Sequence, residues 1–68
     1  MGKNHGELNN QLEERRSASG LTQAALAEKV GVSRKSINSI ENGIYIPTTV
    51  LALKIAEALN CTIHDLFQ

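Results

Sequence analysis

The stretch Thr22–Gly43, TQAALAEKVGVSRKSINSIENG, constrains the fold more than any other part of the chain. Leu26, Ala27 and Val30 recur at helical spacing and give a first helix one apolar face. Thr22 precedes that run as an N-cap, since its hydroxyl can accept an orphan backbone N–H. Gly31 ends it, because a tight stop calls for positive φ, which glycine adopts without a Cβ clash. Val32 follows as an apolar plug, Ser33 caps a second helix, and Ile37 and Ile40 turn inward three residues apart. Asn42–Gly43 closes that helix. Two helices joined by so few residues cross at a steep angle. Ala27 fits the crossing because a small side chain lets the backbones approach.

The second helix turns Arg34, Lys35, Asn38 and Ser39 away from Ile37 and Ile40. Two cations in the first turn oppose the helix dipole. A purely structural role would favour acids there, so Arg34 and Lys35 make more sense opposite an anion or a base edge. A short helix with a polar, donor-rich outer face has the diameter of the DNA major groove.

Gln23, Ala27, Gly31, Ser33, Ile37, Ile40 and Glu41-Asn42-Gly43 together resemble the helix-turn-helix signature of the phage Cro/repressor-type (Xre) family, including its single-domain bacterial regulators. The resemblance extends upstream through Leu12, Arg15, Arg16 and Gly20-Leu21. Downstream it continues through Pro47, Leu51-Ala52, Lys54-Ile55-Ala56, Leu59 and Asp65-Leu66-Phe67. It covers about residues 8–67. It implies an all-α, five-helix, lambda-repressor-like domain over residues 7–68, with the helix-turn-helix at helices 2 and 3.

The function it implies is sequence-specific binding of double-stranded DNA as a transcriptional regulator, a repressor, with the helix over 33–41 in the major groove. Ser33, Arg34, Lys35, Asn38 and Ser39 are then the candidate base readers. Gln23, Arg16 and Asn42 are candidate phosphate contacts. Gln23 can also brace side chains of the next helix, and Asn42 fits equally as a turn residue. Arg16 falls where the family pairs an arginine with the glutamate of Glu-Asn-Gly, here Glu41, so an ion pair tying helix 1 to helix 3 is expected. Ile44 stands where the family often has lysine, which removes one phosphate contact. A homodimer on a palindromic operator is expected, because one short helix reads few base pairs. Val50, Leu53 and Phe67 are the candidate seam, with Phe67 equally suited to the core. The competing reading is an antitoxin-type module whose main partner is a toxin protein.

At 68 residues the chain holds one small core. Apolar residues make up 41% of it, with one Tyr and one Phe, so the core is aliphatic and lacks aromatic platforms for single-stranded bases. The formal net charge is zero, which counts against an unselective nucleic-acid binder. Lys29, Arg34 and Lys35 nevertheless sit within the two-helix unit, while Glu7, Glu13, Glu14, Glu57 and Asp65 lie outside it. The single Cys61 permits no disulfide framework and fits a reducing cytoplasm. No apolar run approaches the roughly 20 residues of a membrane span.

Along the chain, residues 1–6 read as a disordered arm. Residues 7–18 read as helix 1, with Leu8, Leu12 and Ala18 facing in and acids preceding bases as the helix dipole favours. Ile44–Pro47 is an extended connector, since Pro47 disfavours helix at Ile46. Helix 4 runs from Thr48 to Leu59, with Leu51, Ala52, Ile55, Ala56 and Leu59 as its buried stripe. Asn60 is a candidate left-handed residue. Thr62-Ile63-His64-Asp65 resembles a capping box, and Ile63, Leu66 and Phe67 close the core. Catalysis has little support: His5 and His64 are far apart in sequence, and Cys61 suits core packing better than a nucleophile or half a metal site. No cofactor or metal is implied.

Overall fold

The computed structural model describes residues 10–67 of the chain. Five helices follow in order: α1 (Leu12–Ala18), α2 (Gln23–Val30), α3 (Arg34–Glu41), α4 (Thr49–Ala58) and α5 (Ile63–Phe67). No strand occurs among the described residues. The arm at 1–6 and Leu8 lie outside them.

The helix starts are set by side chains. Thr22 Oγ1 accepts from the Ala25 amide at 3.0 Å, Ser33 Oγ from Ser36 at 3.1 Å, and Thr48 Oγ1 from Leu51 at 3.1 Å. Each such cap contributes about 1 kcal/mol. The Thr62 amide donates to Asp65 Oδ2 and the Asp65 amide to Thr62 Oγ1, both at 3.0 Å, so the box at α5 is reciprocal. Gly31, at φ 81° and ψ 30°, ends α2, and its N–H donates to the Ala27 carbonyl. The chain turns through Val32 and Ser33 directly into α3. Asn60 takes φ 58° after α4.

Leu12, Leu26, Ile37, Ile40, Ile55 and Leu66 are fully enclosed, so all five helices supply the core. Ala27 is 3% exposed, and α2 packs on both α3 and α4. α1 packs on α3 and α5, and α5 on α4.

Four expectations change. Helix 1 starts at Leu12 rather than residue 7, because the chain before it bonds elsewhere. Asn10 Oδ1 accepts from the Leu12 amide at 3.0 Å, and Asn10 Nδ2 donates to the Ile40 carbonyl at 2.8 Å. The Gln11 amide donates to the Leu66 carbonyl at 2.8 Å. Ala18 is exposed, not inward: six residues beyond Leu12, at about 100° each, it falls well off Leu12's face. Leu51 is half-buried at the edge of the α4 stripe. Of the α5 trio only Leu66 is enclosed; Ile63 and Phe67 pack against the core half-exposed, as does Cys61.

Candidate nucleic-acid interface

The outer face of α3 begins with three exposed residues, Ser33, Arg34 and Lys35. Neither α2 nor α3 has an acid in its first turn. The partial positive charge of the α3 N-terminus therefore adds to two cations with no carboxylate in that turn to offset it. Asn38 and Ser39, the other two candidate readers, are half-buried. Asn38 Oδ1 accepts from Asn42 Nδ2 at 2.6 Å, which leaves the Asn38 amide nitrogen as its free donor. The Ser39 carbonyl accepts from the Ile44 and Tyr45 amides at 2.9 and 3.2 Å, which closes the end of α3. Asn42 itself is exposed and is bonded within α3.

Behind this face lies a chain of polar contacts that joins three helices. Arg16 of α1 donates through Nε to Glu41 Oε2 at 2.6 Å and through Nη2 to Glu41 Oε1 at 3.4 Å. Its Nη1 donates to the Leu21 carbonyl at 2.8 Å. The two side chains are 13% and 4% exposed. The hydrogen bond to Glu41 holds the guanidinium pKa above its ordinary value, against the opposing effect of burial. Every nitrogen of Arg16 thus has an acceptor inside the fold, and the candidate phosphate contact at this residue has no free face comparable to Arg34. Gln23 of α2 continues the chain: its Nε2 donates to Glu41 Oε1 at 2.8 Å, and its Oε1 accepts from Arg34 Nη1 at 3.3 Å. The family pattern anticipates the Arg16–Glu41 pair and a brace from Gln23 to side chains of the next helix; which side chains these are, Glu41 and Arg34, 18 and 11 positions away, no spacing rule gives.

A second exposed feature follows α3. Ile44 and Ile46 are each 65% exposed, Val50 63%, Leu53 54% and Tyr45 43%. Val50 and Leu53 of the candidate seam therefore stand free, whereas Phe67 is partly committed to the core. The exposure of Ile44, Tyr45 and Ile46 was not anticipated. The signal was an apolar run beside Pro47 with no helical periodicity to bury it.

Elsewhere, burial pushes the Cys61 thiol above its ordinary 9.0. It is therefore a thiol, not a thiolate, at neutral pH, which disfavours nucleophilic chemistry. His64 is exposed. Among the described residues no three His, Cys, Asp or Glu side chains gather as a metal site, and no helix is long and apolar enough to cross a membrane.

A helix-turn-helix family model matches residues 12–66. The HTH-type transcriptional regulator YgzD of Bacillus subtilis is 40% identical over 60 residues, which span 88% of this chain and 91% of that protein. The crystal structure of the restriction-modification controller protein C.AhdI from Aeromonas hydrophila has a TM-score of 0.76 and 34% identity, over 81% of this chain and 83% of that one. The master regulator for biofilm formation SinR, solved in complex with DNA, has a TM-score of 0.73 and 27% identity, over 79% and 87%.

Proposed function

This chain belongs to the helix-turn-helix family of transcriptional regulators, in its Cro/repressor-type branch, and on that premise we propose that α3 reads double-stranded DNA from the major groove. The observation that carries this reading is the acid-free N-terminus of α3 with Arg34 and Lys35 exposed on it. Arg34 suits the O6/N7 edge of guanine, a contact that discriminates by about 1–3 kcal/mol. Lys35, Ser33 and the free amide nitrogen of Asn38 share the reading, with Ser39 at its inner edge. The N-termini of α2 and α3 meet phosphates, which helix ends attract. Gln23 and Asn42 flank them. The protein acts by occupying DNA rather than by catalysis, in the cytoplasm, and represses where its site overlaps a promoter.

Two copies bind a palindromic site, with half-sites about 34 Å apart. The exposed Val50 and Leu53, joined by Ile44 and Ile46, supply the seam, with Phe67 at its margin. The test is a salt titration of binding to a selected site and to scrambled DNA for wild type, Arg34→Ala and Lys35→Ala. Arg34→Ala weakens the selected site more than scrambled DNA and relaxes preference at one base pair. Equal losses on both DNAs for both variants would remove α3 as the reader.

A further inference from the structure

We propose that Glu41, beyond pairing with Arg16, is a specificity-positioning residue that holds Arg34 ready to read a base; this rests on α3 being the DNA reader. The argument begins with hydrogen-bond polarity. An ionised carboxylate only accepts, whereas a glutamine amide has one donating and one accepting end. Glu41 Oε1 sits 2.8 Å from the Gln23 amide nitrogen, so that end of the amide must turn inward. The carbonyl oxygen of Gln23 then faces out, where it accepts from Arg34 Nη1 at 3.3 Å. A carboxylate that is 4% exposed thereby sets which atom Gln23 offers to the DNA-facing side, and that atom calls for a donor.

Arg34 meets the demand at little loss. The guanidinium has five N–H donors, and one contact with Gln23 leaves four for a base edge. The contact confines a long side chain that is otherwise free on an exposed helix end. Confinement in advance removes part of the ordering cost of binding, which for one long side chain corresponds to about two- to tenfold in affinity. Arg16 meets the other side of the carboxylate through Nε and Nη2, while Gln23 alone holds the end that faces α2. The link runs from α1 through the end of α3 to α2 and back to the start of α3.

The experiment measures binding to the selected site and to the same site substituted at the base pair that Arg34→Ala identifies. The readout is the ratio of the two affinities. A change in the folded fraction alters both affinities equally and cancels, so a merely stabilising role leaves the ratio unmoved. Glu41→Gln, which can present either amide end to Gln23, lowers the ratio by about two- to tenfold. Gln23→Met does the same with the Arg16–Glu41 pair left in place. Neither substitution lowers the ratio further in an Arg34→Ala background. Arg16→Met lowers the melting temperature but preserves the ratio, since Gln23 still meets a carboxylate. Should Glu41→Gln or Arg16→Met not fold at the working temperature, Gln23→Met decides the point. An unchanged or increased ratio in Gln23→Met overturns the proposal, as does a loss that persists without Arg34. A wild type with no preference between the two sites would instead refute the reading of α3 on which the proposal stands.

Discussion

Arg16→Met is the substitution whose consequence the structure defines most closely. Methionine keeps much of the aliphatic length but removes three donors: two to Glu41 and one to the Leu21 carbonyl. Glu41, 4% exposed, keeps only the neutral Gln23 amide as a partner. Breaking a buried pair from one side costs about 3–5 kcal/mol, because the remaining charge is left uncompensated. The Gln23 bond and the 13% exposure of Arg16 argue for the lower end, about 3 kcal/mol. A domain of this size has a total stability of about 3–10 kcal/mol, so the loss is a large share of it. At about 4–8 °C per kcal/mol, the melting temperature falls by about 12–24 °C. Thermal unfolding followed by circular dichroism measures this. A double-mutant cycle with Glu41→Gln separates the pair from the lost packing, because Met alone could destabilise by misfitting against α3. A coupling of at least about 1 kcal/mol is expected for groups in direct contact. No coupling, or a shift in melting temperature of only a degree or two, would refute the reasoning and reduce the pair to a surface contact.

Two further outcomes follow from the turns and caps. Gly31→Ala lowers stability by about 1–2 kcal/mol in the same melting assay, a purely conformational penalty, since φ is 81° and an added Cβ would meet nothing within 4 Å; an unchanged melting temperature would contradict the left-handed turn. The hydrogen bond that the Thr62 amide donates, and the Thr62 hydroxyl beside it, hold the Asp65 carboxyl below its ordinary 3.8. A depressed carboxylate pKa stabilises the fold above the unfolded value and loses that contribution as pH falls through the folded value. The difference in melting temperature between wild type and Asp65→Asn should therefore shrink as pH drops below 3.8, and a gap that is constant through that range would show that the box does not depend on charge.

What the sequence made legible was whatever rests on local rules. The stop at Gly31, the caps at Thr22, Ser33, Thr48 and Thr62, and the inward faces at Leu26, Ile37 and Ile55 each depend on residues within four positions of one another. The start of α1 was not legible, because its residues have an adequate helical pattern as far as Glu7. What ends the helix at Leu12 is Asn10 reaching to Ile40, 30 positions away, and Gln11 reaching to Leu66. The exposed run Ile44–Ile46 escaped for the opposite reason: an apolar residue outside any periodic element carries no sign of whether it is buried. The Gln23 contacts lie between these cases. The residue was identifiable, but its orientation depends on a carboxylate that only folding brings beside it.

The same division bears on how a chain of zero net charge engages a polyanion. Nonspecific affinity for DNA grows with the number of phosphates neutralised, and the salt slope is about 0.9 per phosphate on duplex DNA. With Arg16 turned inward, Arg34 and Lys35 are the exposed cations that the N-terminal end of α3 presents. If both face base edges, the helix termini and the neutral Gln23 and Asn42 are left to meet phosphates, and these release few counterions. Binding by one copy is then weak and only shallowly dependent on salt, so little affinity is spent on random sequence. Specificity must come from well-placed base contacts and from joining two half-sites. On the reading proposed above, a confined Arg34 would supply the first, and the exposed apolar residues that follow α3 would supply the second.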